Sequence, residues 1–137
     1  MPQPTFVALP EALKRVIDGK AFAHMTTLDP DGTPQASAVW IMRDGDRIIL
    51  NTAEGRRKWR NLISDPRVAI SVSDQCDEYL NFSIQGLVTE MRTSDGVEVI
   101  DALARKYLRG VEKYPFLTPT MVRVTLVVAA TRVAANH

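Results

Sequence analysis

Apolar positions along the chain change period several times, and each change marks an element. Leu13, Val16 and Ile17 fall at i, i+3 and i+4, the spacing of one helical face, with Pro10 as a start signal and Gly19 as a stop. Residues 21–28 (AFAHMTTL) lose that period and read as a strand, favoured by Phe22 and the threonines. Asp29-Pro30-Asp31-Gly32 is a strong turn signal. Gln35 to Met42 then reads as the returning strand, and Arg43 to Asp46 as a hairpin turn into a strand over Arg47–Thr52. Three short antiparallel strands in succession indicate a meander.

A helical period returns at Trp59, Leu62 and Ile63, and Asp65-Pro66 ends it. Arg67 to Ser73 alternates around Val68, Ile70 and Val72 as a strand, and Tyr79 to Met91 reads as a long one with Gly86 as a bulge or bend. Thr93 is placed to cap a further helix reaching about Arg109, with Val97, Ile100, Leu103, Ala104 and Tyr107 on its apolar face. Gly110 to Pro119 is turn-rich, and Met121 to Val133 closes the chain as a valine- and threonine-rich strand. The expected fold is mainly β (α+β), with six strands and about three helices. A small barrel suits these strands, because an open sheet would leave apolar edges to protect. Residues 1–137 fit one domain, with no repeat, low-complexity tract or linker.

Composition narrows the classes. A 45% hydrophobic, 24% charged chain is an ordinary globular protein. Its net charge of +1 gives no global field for nucleic acid or membrane surfaces, so any anion binding must be local. The single cysteine, Cys76, excludes an intrachain disulfide and a multi-cysteine zinc site, and its acidic neighbours disfavour a reactive thiolate. Two histidines, His24 and His137, do not suggest a metal cluster, and His24 reads as a hydrogen-bonded strand residue. Neither a signal peptide nor a membrane span is evident, so a cytoplasmic location is expected. Gly-x-Ser-x-Gly, HExxH, Walker and Rossmann patterns are all missing, which leaves hydrolytic and nucleotide-triphosphate chemistry without support.

The most informative segment is Gly55-Arg-Arg-Lys-Trp-Arg-Asn61, with four cations in five residues at the start of a helix. Cations there oppose the macrodipole at about 0.3–1 kcal/mol each. A bound anion would meet both the side chains and the free amides of the first turn, and Gly55 would let the backbone approach it. The alternative is a solvated charged face, partly neutralised by Glu54 and Asp65. Trp40, mid-strand, and Trp59, on the apolar helical face, read first as core residues. Tyr79 and Asn81 share a strand face by the two-residue period and could meet a ring or a neighbouring strand.

Taken together, these segments resemble the split β-barrel family of pyridoxamine-phosphate-oxidase-like flavoproteins, most closely the branch using the deazaflavin coenzyme F420. The resemblance runs from the first helix to the last strand. Its strongest stretches are AHMTTLDPDGTPQ (23–35) and NTAEGRRKWRNL (51–62), with Asp65-Pro-Arg-Val-Ala69 and Gln85-Gly86 adding to it. It implies a six-stranded split barrel that forms a homodimer with cofactor grooves at the interface. By similarity, Asn51, Thr52 and Ala53 approach the ring or linker. Arg56, Lys58 and Asn61 match phosphate-side positions, with Arg57 a further charge. Val39 and Trp40 lie beside the ring, and Tyr79, Leu80 and Asn81 reach the cofactor from the partner subunit. The implied reaction is hydride transfer from reduced F420 to a conjugated, electron-poor small molecule, which requires no nucleophile, so no catalytic residue is assigned. Two alternatives stand beside it. One is an FMN enzyme acting on pyridoxamine phosphate, which would need a second basic site where the last strand offers only Arg123 and Arg132. The other is a non-turnover binding protein for a flavin, a deazaflavin or an anionic tetrapyrrole.

Overall fold

A computed structural model describes residues 3–136. In chain order the elements are α1 (Glu11–Asp18), β1 (Phe22–Leu28), β2 (Pro34–Val39), β3 (Met42–Asp44), β4 (Arg47–Ala53), α2 (Arg57–Ser64), β5 (Arg67–Ser73), β6 (Asn81–Arg92), α3 (Gly96–Tyr107) and β7 (Arg123–Asn136). One antiparallel sheet runs in the order β2-β1-β5-β6-β7-β4-β3. The expected barrel is therefore present as a split barrel, with seven strands rather than six.

The extra strand comes from a break in the segment expected as one strand over 35–42. Val39 is the last residue paired with β1, and Met42 the first paired with β4. Between them Trp40 and Ile41 leave the ladder and carry the chain from one edge of the sheet to the other. Ile41 is fully buried, and burying such a side chain contributes about 1.5–3 kcal/mol. Its backbone would offset that gain if left unpaired, at about 1–3 kcal/mol per group. Two residues of α3 supply the partners: Lys106 Nζ donates to the Ile41 carbonyl (2.6 Å), and Tyr107 Oη accepts, at 3.4 Å, from the Ile41 amide.

Alternation along the strands sorts the interior. Met25, Ile48, Leu50, Ile70, Val72, Ile84, Leu126 and Val128 face one apolar core, and Leu13, Val16 and Ile17 of α1 pack into it. On the opposite face of β4 and β7, α3 buries Ile100, Leu103 and Ala104. Val97, expected on that apolar face, is 44% exposed because it lies in the first turn, while Ile63 is 61% exposed on the outer side of α2. The capping role expected of Thr93 falls instead to Asp95 as the N-cap residue, without a side-chain cap bond. β6 starts two residues later than the alternation implied, because Asp77 holds Tyr79 in a turn, its Oδ1 accepting from the Tyr79 amide at 3.0 Å. Gly86 does mark a bulge: the β6–β7 register shifts between Gln85 and Gly86. Among the described residues no helix is long and apolar enough to cross a membrane.

Gly96 fixes how closely α3 sits on the sheet. A Cβ there would stand 2.0 Å from the Arg123 carbonyl oxygen, so only glycine permits the approach. Gly96→Ala is expected to destabilise the protein by about 1–3 kcal/mol, read from its urea unfolding midpoint. An unchanged midpoint would mean that the helix is free to move away.

Candidate functional site

β4 ends at Ala53, and Gly55, at φ +90°, turns the chain into α2 with Arg56 as N-cap. No acidic residue occupies the first turn of that helix and no side chain caps it. The four cations of the run then part company. Arg57 donates through Nε to Asp29 Oδ1 (2.9 Å), and its Nη2 pairs with Oδ2 of the same carboxylate. Arg60 folds back onto the Gly55 carbonyl. Arg56 and Lys58 point the other way, into a groove of about 480 Å³.

Arg123, at the start of β7, joins them there. It is 4% exposed and pairs in register with Ala53. Its Nε donates to Asn51 Oδ1 (2.9 Å), while Asn51 Nδ2 donates to the Gly96 carbonyl (2.9 Å). Its guanidinium lies 5.2 Å from the Tyr114 ring centroid. Among the described residues none of Arg56, Lys58 and Arg123 has a carboxylate partner. Burial, then the neighbouring Arg56 and Arg123, push the Lys58 ammonium below its ordinary value. Burial and Arg56 do the same to Arg123, with Tyr114 opposing. A dianion or diester placed between them would relieve this repulsion.

The rest of the groove is aromatic and aliphatic. Trp40 is stacked on Tyr107 with centroids 5.6 Å apart and planes at 6°, and Tyr114 meets Trp40 edge-on at 6.1 Å. Val39, Ala38, Ile100 and Leu103 add apolar surface, and Phe22 and His24 of β1 border it. His24 is the strand residue expected, paired with Ala38 and Ser71 in the ladder, and its exposed side chain makes no hydrogen bond among the described residues. Trp40 is a groove wall and not a core residue, whereas Trp59 is half-buried against the core as expected.

Five of the residues expected at the site, Val39, Trp40, Asn51, Arg56 and Lys58, are thus brought to one groove. Others are not. Thr52 is fully buried, facing the barrel interior, and Ala53 is 4% exposed. Asn61 is buried, donating through Nδ2 to Thr27 Oγ1 and Asp29 Oδ1 (both 3.0 Å), so it ties α2 to the β1 turn. Arg57 serves the same tie. Tyr79 (73% exposed) and Leu80 lie in the turn before β6, and Asn81 Nδ2 donates to the Glu78 carbonyl at 3.0 Å. None of the three lines the groove of its own chain. Arg123, Tyr107 and Tyr114 were missed as groove residues because they come to it through β4–β7 pairing and α3 docking, which leave no local signature.

The fold has counterparts among known proteins. A model of the family described as pyridoxamine 5'-phosphate oxidase matches residues 9–135. The chain belongs to the pyridoxamine 5'-phosphate oxidase family. A solved F420 reductase superposes with a TM-score of 0.80 at 28% identity, covering 92% of this chain and 98% of that one. Rv2991 from Mycobacterium tuberculosis (TM-score 0.72, 21% identity, 99% and 89% covered) shares the fold. So does General Stress Protein 26 from Bacillus anthracis (0.67, 16%, 92% and 92%). No curated protein matches the sequence. For this member of the family, the groove's charged end and flat aromatic wall fit a cofactor that carries both a phosphate and a ring.

The tie between Asp29 and α2 is titratable. Hydrogen bonds from Arg57 first, then Asn61, hold the Asp29 carboxyl below its ordinary value. A depressed carboxylate stabilises the fold above its unfolded value, near 3.8, and that stabilisation is lost as pH falls through the folded value. Melting temperature should therefore drop more steeply below about pH 4 in the wild type than in Asp29→Asn. Parallel curves would remove Asp29 from the acid response.

Proposed function

We propose that this chain is an F420-dependent oxidoreductase that passes a hydride to a conjugated, electron-poor small molecule. The observation carrying the reading is the set of three cations, Arg56, Lys58 and Arg123, gathered without carboxylate partners at one end of a groove with an aromatic wall. Family membership and the F420 reductase likeness support it. Arg56, Lys58 and Arg123 would hold the phosphate, with Asn51 fixing the Arg123 fork. Val39 and Trp40 would lie along the ring and keep water from it. The chemistry supplied by a bound reduced deazaflavin is two-electron hydride donation. No residue of the chain needs to act as a nucleophile; the groove's part is to bind, orient and exclude water.

The rival cofactor is FMN, which the family's description favours. A pyridoxamine-phosphate substrate would ask for a separate basic site, yet Arg123 belongs to the same cationic set and Arg132 lies on β7 opposite Gln85. Fluorescence titration separates the readings: F420 is expected to bind more tightly than FMN, and a preference for FMN, or binding of neither, would sink this one. Lys58→Ala should weaken F420 binding by about 1.5–3 kcal/mol, the worth of a hydrogen bond to a charged group. Arg57→Ala, whose partner is Asp29, should change it by less than about 0.5 kcal/mol.

A homodimer completes the reading. The outer face of β1, β2 and β5 carries Ala36, Ala38, Ala69, Ser71 and the 62%-exposed Phe22, a nearly uncharged surface suited to a second copy. Tyr79, Leu80 and Asn81 lie along the same edge, since Asn81 pairs with Ser73 and Ser73 with Phe22 at the groove rim. In a dimer they would reach the partner's groove. Light scattering should give twice the chain mass, and Ser71→Glu should reduce it to a monomer that binds F420 at least about tenfold more weakly. A wild-type monomer with full affinity would refute this arrangement.

A further inference from the structure

Lys106 is not one of the groove's cations, yet its ammonium is committed to the backbone beside it. Nζ donates to the carbonyls of Ile17 and Ile41 and lies 5.2 Å from the Tyr107 ring centroid. Ile17 is in the last turn of α1, where carbonyls lack intrahelical partners and a cation is favoured. The next residue, Tyr107, donates its hydroxyl to the Ala21 carbonyl (2.8 Å) and accepts from the Ile41 amide. Its ring is the one stacked on Trp40.

What these bonds hold is the part of the groove wall that the sheet does not. Val39 is set by its pairing with Ala23, Asn51 by Thr125 and Arg123 by Ala53. Trp40 and Ile41 have no ladder partner among the described residues. Burial pushes the Lys106 ammonium down to about 8, with Asp18 opposing. Asp18 is itself bound by both Arg43 Nε and Nη2 (2.9 and 2.7 Å). An aliphatic side chain would fill the same place without burying a charge. The fold instead keeps a charge where it meets two carbonyls from different segments.

We propose that Lys106 is a positioning residue for the groove: by drawing the Ile17 and Ile41 carbonyls onto one ammonium, it sets the course of the two-residue crossover and so the placement of Trp40. That Trp40 in turn seats a cofactor ring rests on the proposed function; the hold on Trp40 itself does not.

The chain has two tryptophans, so in a Trp59→Phe background Trp40 reports alone. Lys106→Met keeps an unbranched apolar stem and loses the donors, whereas Lys106→Arg keeps charge and donors. In Lys106→Met still folded by far-UV circular dichroism, the near-UV signal of the Trp40–Tyr107 stack should fall to about half or less and F420 should bind about tenfold more weakly, as for one lost charge-assisted hold. Lys106→Arg should restore most of both. An unchanged near-UV signal in Lys106→Met overturns the proposal. If that variant does not fold, Lys106→Gln, neutral and one atom shorter than lysine, takes its place. The same loss of signal is then expected, and a signal that persists would overturn the idea. If the wild type does not bind F420, the proposed function fails and the near-UV arm still decides the role of Lys106.

Discussion

The passage of the chain from one sheet edge to the other at Trp40-Ile41 is the constraint on which the rest depends. Two residues are all that separate β2, hydrogen-bonded to β1, from β3, hydrogen-bonded to β4, although these strands lie at opposite ends of the sheet order. The sheet must therefore curl until one end of each edge strand comes close to the other, while the barrel stays split, and Ile41 becomes part of the core around which it curls. A backbone that leaves the ladder in an apolar setting needs other partners. Those partners come from the last turn of α3, so the helix that packs outside β4 and β7 also holds the barrel's seam.

The groove lies beside that seam, and its electrostatics follow from where the strands end. Ala53 and Arg123 are register partners at the end of β4 and the start of β7, so the turn into α2 carries Arg56 and Lys58 to the place where Arg123 emerges. Burial leaves Lys58 and Arg123 poorly solvated, and the neighbouring Arg56 raises the cost. The fold accepts local instability here, while equally basic neighbours are satisfied: Arg57 by Asp29 and Arg60 by the Gly55 carbonyl. That division within one five-residue run sets the cations that reach the groove apart from those that tie down α2 and its turn. Gly96 belongs to the same economy, since its missing side chain lets α3 approach Arg123 and brings its carbonyl to Asn51.

Much of this was legible in the residues. Period alone placed the helices and most strands, and the breaks at Asp29-Pro30, Asp65-Pro66 and Gly86 fall where turn chemistry and a missing Cβ put them. The errors share one cause. Residues 35–42 contain no Gly, Pro, Asn or Asp to mark a break, and nothing local shows that Trp40 and Ile41 have no strand beside them. Asn61 carries the same amide whether it meets a phosphate or Asp29. Arg123 looked isolated in a valine-rich strand because its companions are more than sixty residues away in sequence.

The sequence by itself determined most of the elements, the barrel class and the presence of a strongly basic turn, because period, turn residues and charge density act over a few neighbouring positions. Only the tertiary structure decided which cations share a groove, which are spent on Asp29, and how the crossover is held. Those outcomes depend on strand register and helix docking, where a contact is set by partners distant along the chain, and no local pattern encodes them.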